Sequence, residues 1–480
     1  MTSDAALSRP LLLATQLTGD SPAQARARLL DATVHVRVTA GFEDNQDAAT
    51  LARSLVDQLS RFCGTVVVSA PCVIAQACVE RDHELHDPPR VHSCGSSLAR
   101  ADAFDIFIGG HPDTADGIGT CSDGWTGKVF PAGTHESVTA FTVANPIGAL
   151  TAAALTAGEA FLRLIGLSRP PRGFELSAWS GACGPLGSLP DDPPLPAIQP
   201  IDALLIGCGN VMNGWAAAAR ALRITGHARA VDRQSLGEEN LDPYSLARRD
   251  MIGQPKTLLL AGHLKPLVAV TRHDEELSLF LPRVTHWHVP LPPLVINGLD
   301  EVEPRHMVQR LWPEVLVDMA AGGTTSQVIL HQRGQGGQCL LRAYEAPDSE
   351  TGYIRRTEAA TGLRSERFLS EFTTPVTAED AAQAPPEHKA RLQAAADSGQ
   401  LICGYINQAS LTETSSGENF AAAAPFIGAL TGARAAAVTV ALLVGHHAPG
   451  GLRWQYNFLS NRARTAETRC PDTCECQTKS

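Results

Sequence analysis

Apolar and polar positions alternate along this chain in two passages of the same kind. In the first, Thr33 to Val38 reads as a strand, Ala48 to Phe62 carries apolar residues at helical spacing, and Thr65 to Ser69 reads as a second strand. In the second, the apolar run Ala203 to Ile206 is followed by an alanine-rich helical pattern from Trp215 to Leu222 and another apolar run from Ala228 to Val231. Each passage leads on to the same words. Ile147-Gly148-Ala149-Leu150-Thr151 opens an alanine-rich helix running to about Gly166, and Ile427-Gly428-Ala429-Leu430-Thr431 opens another ending near Gly445. The repetition predicts an α/β fold of two tandem Rossmann-like domains. The predicted divisions are residues 1–185, a proline-rich linker over 186–200, a second domain over 201–450 and a tail over 451–480. Residues 1 to about 30 show no clear period and are expected to drape over another domain.

The strand ending at Ile206 runs into Gly207-Cys208-Gly209 and then a helix, an order that cradles a nucleotide phosphate. Asp232 ends the next apolar run, about 20 residues on, where a carboxylate can take ribose hydroxyls. Met212 stands where a dinucleotide fingerprint has its third glycine, which speaks against a dinucleotide. In the first passage Ala70-Pro71-Cys72 is read as the counterpart of the glycine turn. Proline lacks the donor and the freedom that a phosphate cradle needs, so the first domain is expected to be degenerate.

Beyond Asp232 come Glu239-Asn240-Leu241 and Ile252-Gly253-Gln254-Pro255-Lys256. This resembles the "D…NL…iGxPK" signature of ubiquitin-activating-type adenylyltransferases, a family that includes the enzymes adenylating sulfur carriers for molybdopterin and thiamine synthesis. The layout is similar to their paired inactive and active adenylation domains, here in one chain. Among bacterial members it is nearest in spirit to the activating enzymes of ubiquitin-like conjugation operons associated with phage defence. The resemblance implies ATP and Mg²⁺, with Asp232 on the ribose and Gly207, Gly209, Asn240 and Lys256 around the phosphates. Pro243 stands where the family has an arginine, and Arg248 or Arg249 is expected to substitute. The strand Pro293 to Ile296, ending in Asn297-Gly298-Leu299-Asp300 with Arg305 after it, is similar to a family strand ending in D-x-x-D. Asp300 then matches the carboxylate that supports Mg²⁺-ATP and adenylation, while Asn297 replaces the first acid. Read without the resemblance, Asp300 caps the following helix. Asp318 and the turn Gly322-Gly323-Thr324-Thr325 are further candidates for the pocket lining, or simply a strand end.

The family's thioester cysteine lies between the nucleotide domain and the final helix, which implies a crossover loop and favours Cys403 over Cys339, with a buried structural thiol as the alternative. The implied activity is ATP-dependent adenylation of the C-terminus of a ubiquitin-like protein, then thioester formation for transfer to a ubiquitin-conjugating-type enzyme. The competing readings are a sulfur-carrier adenylyltransferase without a thioester, an NAD-linked oxidoreductase and a non-catalytic scaffold.

Composition narrows this little further. A formal charge of −11 over 480 residues gives no electrostatic footprint for nucleic acid. The most apolar window, Ala421 to Gly445, contains Arg434 and several glycines and reads as a buried helix, not a membrane span. The twelve cysteines are mostly isolated and read as reduced thiols, so a cytoplasmic protein is expected. Cys470, Cys474 and Cys476 are clustered, and with Cys339 or His446 they would complete a tetrahedral zinc site. A cysteine-rich tail without metal is the alternative.

Overall fold

The computed structural model describes residues 8–93, 104–110, 117–134, 138–167, 173–286, 290–334, 339–344, 357–359, 361–371, 374–402, 405–406, 423–446, 452–467, 470, 474 and 476. They form two Rossmann-like halves, each built on an eight-stranded sheet of identical topology.

In the first half, β1 (Thr33–Val38), β2 (Thr65–Ser69), β3 (Val91–Ser93), β4 (Phe104–Ile108), β5 (Ile118–Asp123), β6 (Thr126–Pro131), β7 (Phe174–Ser177) and β8 (Cys183–Pro185) lie in the order 3-2-1-4-5-6-7-8. The five strands from β3 to β5 are parallel and the rest antiparallel. In the second half, β9 (Ile201–Ile206), β10 (Gly226–Val231), β11 (Val268–His273), β12 (Leu294–Asn297), β13 (Val315–Gly322), β14 (Thr325–Gln332), β15 (Leu452–Asn457) and β16 (Arg462–Glu467) repeat that order. Residues 452–467, expected as part of a tail, are therefore the last two strands of the second sheet. Leu452–Asn457 shows the alternation of buried and half-buried residues that an antiparallel strand requires.

The N-terminal helices α1 (Ser8–Thr18) and α2 (Pro22–Leu30) pack on the first half, where Leu13 and Leu29 are fully buried. Helix α3 (Gln46–Ser60) follows β1, α4 (Cys72–His83) follows β2, and the long apolar α5 (Pro146–Leu164) begins with the repeated motif. In the second half α6 (Asn210–Ala221) follows β9, α7 (Lys256–Leu264) precedes β11, α8 (Leu277–His286) precedes β12 and α9 (Val302–Gln309) follows it. Past β14 come the short α10 (Leu340–Ala343) and then α11 (Ser365–Ser370), α12 (Ala378–Gln383) and α13 (Pro386–Asp397), before α14 (Pro425–Leu443). The last three short helices enclose a core of their own, with Leu363, Phe368, Val376, Leu392, Ile402 and Tyr405 buried together. A small helical subdomain thus stands where the sequence suggested only a loop.

Both long apolar helices are used inside the protein. Helices α5 and α14 pack on each other, and one core cluster runs from the first sheet to the second. At the seam, Phe161 of α5 packs against Phe426 of α14 with ring centroids 5.5 Å apart, and Phe62 and Phe458 flank the pair. Helix α14 also crosses α6 at very short range, because a Cβ on Gly432 would fall 2.1 Å from the backbone of Gly214. Arg434, buried in the middle of α14, donates to the carbonyls of Ala178 and Trp179 in the first half. Burial brings it down to about 10, still protonated at neutral pH.

The halves differ on their outer faces. The second sheet is covered there by α8, α9 and α10, whose Leu277, Phe280, Val308 and Leu340 meet Leu204, Ile206, Val295 and Leu316. The corresponding face of the first sheet carries a polar ladder instead, with Ser69, His35 and Asp105 side by side and Arg37 also on Asp105.

Candidate functional site

Sheet order reverses between β9 and β12, so the crevice beyond their ends is where an open α/β sheet places a ligand. The two turns there nearly touch. Gly207 has φ +76°, and a Cβ on it would sit 3.0 Å from the backbone of Gly298 and Leu299. Gly209 is the N-cap of α6 and offers no side chain to its first turn, which leaves that turn's N–H groups aimed at the crevice. The space above Gly209 is left open by the described residues. Among the described residues, only the Tyr244 hydroxyl comes within 4 Å of where its Cβ would be, at 3.5 Å.

Asp232 closes the turn from the neighbouring strand. Its carboxylate accepts from the Cys208 N–H at 2.6 Å and the Gln234 N–H at 2.7 Å. Burial pushes this carboxyl up, with Lys256 opposing the shift and Asp300 adding to it. Lys256 is the first residue of α7, buried, and donates to the Gln234 side chain and to Tyr244 Oη. Asn240 is turned inward, where its side-chain oxygen accepts from the Gly237 N–H and braces the loop. Arg248 is held by Asp250 at the surface, and Arg249 is exposed with its backbone N–H on Glu84 of the first half. From this loop, the side chain that lies beside the glycine turn is Tyr244.

Asp300 is exposed just past β12. It does not cap α9, whose N-cap is Glu301. Beneath it lies a buried clamp: Arg305 donates to Asp318, to Tyr344 Oη and to the carbonyls of Leu299 and Met319. Asp318 also accepts from Asn297 Nδ2 at 2.6 Å and from the Tyr344 hydroxyl at 2.7 Å. Asp318 is therefore buried beneath Asp300 and fixes Arg305, which in turn holds the Leu299 carbonyl just before Asp300. One exposed carboxylate fits a hard cation that takes its other ligands from phosphates and water. Asn297 Oδ1 is buried and accepts no hydrogen bond among the described residues.

The first half lacks this site for a reason the sequence did not reveal. Topology makes β1 the counterpart of β9, so the equivalent of the glycine turn is Thr39 to Asn45, not Ala70-Pro71-Cys72. There the Phe42 ring lies over Gly109, where a Cβ would fall 2.4 Å from it, and packs on Phe141. Ala70-Pro71-Cys72 corresponds to Gln254-Pro255-Lys256, since α4 and α7 both start after a proline N-cap. Between β2 and α4 only Ala70 and Pro71 remain, so the whole loop carrying Asp232, Asn240 and Tyr244 is missing.

The first half instead grips that loop in the second. Arg61 donates to the carbonyls of Leu241, Tyr244 and Ser245, and Arg81 to those of Ser245 and Ala247. Both guanidiniums are anchored on Asp57. Burial alone pushes Asp57 up, but the two arginines hold it below its ordinary value.

Cys339 lies with the terminal cysteines, not at the crevice. Its backbone N–H meets Cys470 Sγ, and its sulfur is 3.5 Å from that of Cys474 and 3.7 Å from that of Cys470. With Cys476, all four sulfurs lie within 4.8 Å of one another. Those separations are too long for disulfides and match the roughly 3.8 Å edge of a tetrahedron with 2.3 Å zinc–sulfur bonds. The residues fit zinc. His446 is elsewhere, edge-on to Trp179 at 5.4 Å. Cys403 lies outside the described residues.

Residues 33–171 match the family described as the BilD N-terminal domain. No curated protein matches the chain by sequence. By structure it is similar to E. coli MccB with AMPCPP and selenomethionyl MccA, at 12% identity and a TM-score of 0.37, over 57% of this chain and 66% of that one. The figures for E. coli MccB with ATP are the same, 12%, 0.37, 57% and 66%. For MccB with succinimide they are 13%, 0.36, 57% and 65%. The chain thus spans just under two thirds of each of these three proteins.

Proposed function

We propose that the chain is an ATP-dependent activating enzyme that adenylates the C-terminal carboxylate of a ubiquitin-like protein. The observation that carries this reading is the asymmetry of the duplicated fold. At one switch point an open glycine turn, Asp232, Lys256 and Asp300 converge, while at its counterpart Phe42 fills the space and the acid-bearing loop is gone.

In the first step an oxygen of the carrier carboxylate attacks the α-phosphorus of ATP. The bond from that phosphorus to the bridging oxygen breaks, and pyrophosphate leaves with the electron pair. The first turn of α6 and Lys256 neutralise the phosphates, and Asp232 orients the ribose while fixing the turn through Cys208. Asp300 would hold Mg²⁺, which supplies charge neutralisation at the triphosphate. In the second step the Cys403 thiolate attacks the acyl carbon of the anhydride and AMP leaves, giving a thioester for a ubiquitin-conjugating-type enzyme. The four-cysteine cluster, loaded with zinc, would tie the chain's end to α10. Service in a phage-defence operon belongs to the same reading.

The test is ATP–pyrophosphate exchange dependent on Mg²⁺ and on the carrier protein. Asp300→Ala should abolish exchange while circular dichroism remains that of the parent. Exchange at the parental rate in that variant would mean the wrong carboxylate has been chosen.

A further inference from the structure

We infer that Tyr244 is a phosphate-binding residue of the nucleotide site, presented to the glycine turn by the Asp57–Arg61–Arg81 clamp of the first half. The inference rests on the ATP reading above and adds a residue and a positioning device to it.

Tyr244 is buried, and its hydroxyl stands above Gly209 at the first turn of α6, where no other described residue comes within 4 Å of a Gly209 Cβ. Lys256 Nζ lies 3.1 Å from that oxygen and 5.1 Å from the ring centroid. An ammonium can only donate, so the hydroxyl oxygen accepts from Lys256 and its own proton is left to point elsewhere. Among the described residues no acceptor takes that proton. A hydroxyl that accepts from a cation is also polarised into a better donor. Tyr244 and Lys256 together thus offer an anion on the glycine turn one charged and one neutral donor. Arg248, by contrast, is occupied by Asp250.

The ring reaches that place because its own backbone is held from outside the nucleotide domain. The Tyr244 carbonyl accepts from Arg61 at 2.7 Å, and the carbonyls on either side of it in the loop are taken by Arg61 and Arg81. Both arginine forks are fixed by one carboxylate, Asp57. Among the described residues the Asp57 carboxylate accepts only from Arg61 and Arg81, so it is a positioning residue.

Calorimetric titration of the full chain with ATP and with adenosine tests this. Tyr244→Phe keeps the ring and its packing and removes only the hydroxyl. It should weaken ATP about ten- to hundredfold, the range for a hydrogen bond to a charged group, and leave adenosine unchanged. Asp57→Asn should lower the ratio of ATP to adenosine affinity in the same direction. A merely structural role for Asp57 would lower the melting temperature and leave that ratio as it was, which overturns the clamp. Parental ATP affinity in Tyr244→Phe overturns the binding role while the ATP reading stands. If the parent itself binds no ATP, that reading fails and the inference fails with it.

Discussion

The Arg61 guanidinium of the first half donates to the main-chain carbonyl of Tyr244 in the second at 2.7 Å. Arg61 is fully buried, and it meets three carbonyls and one carboxylate at once. A planar fork can do this and a lysine ammonium cannot. Arg61→Ala should cost about 3 to 5 kcal/mol of unfolding free energy, the usual price of breaking a buried charge network. Arg61→Lys should recover less than half of that. Urea unfolding of the three proteins checks the order, and equal midpoints for parent and Arg61→Lys would show that the fork geometry is irrelevant.

One ATP should bind per chain. Phe42→Ala opens the space over Gly109 but supplies neither a carboxylate like Asp232 nor a lysine like Lys256, because the loop between β2 and α4 is missing. Stoichiometry by calorimetry should stay at one in that variant, and a second equivalent site would overturn the account of the first half.

Asp242 should make stability depend on pH. Its carboxyl is fully buried, neither oxygen has a hydrogen-bond partner among the described residues, and burial pushes it up to about 7 against the opposing fields of Arg90 and Arg61. An acid whose folded-state value is raised binds its proton more firmly when folded. The contribution of Asp242 to stability is therefore most favourable in acid and falls as pH rises from the unfolded value near 4 through about 7. Asp242→Asn removes that titration. Its gain over the parent should grow by roughly 2 to 3 kcal/mol between pH 5 and pH 8, and parallel pH profiles would refute the assignment.

The cysteines should separate by role. Elemental analysis should find about one zinc per chain in the parent and less in Cys474→Ser, with a lower melting temperature after chelation. Cys339→Ala should lose metal and still form the reductant-sensitive adduct with the carrier. Cys403→Ala should keep pyrophosphate exchange and lose the adduct. An adduct that survives the Cys403 change and disappears with Cys339 reverses the assignment.

Much of this was legible in the sequence because it depends on local pattern. The matched Ile-Gly-Ala-Leu-Thr words do open the two helices that pack at the seam, and Gly207 does need its positive φ. What was not legible depends on which strand lies beside which. A strand-helix-strand passage does not say that β1, and not β2, is central, so Ala70-Pro71-Cys72 looks like the counterpart of Gly207-Cys208-Gly209 when Thr39 to Asn45 holds that place. Nor does any pattern announce that Arg61 meets carbonyls 180 residues away. Tyr244 carried a faint signal, standing next to Pro243 where an arginine was missed. Cys339 joins cysteines 131 residues later, and spacing alone left His446 as an equal choice.

The aromatic seam between α5 and α14 also bears on how the protein behaves when dilute. Two separate subunits held by such a surface would part as their concentration fell, and the loop gripped by Arg61 and Arg81 would be released with them. Here the proline-rich connection between β8 and β9 makes the encounter intramolecular, at an effective concentration that dilution cannot lower. Specific activity should accordingly be flat from micromolar to picomolar chain.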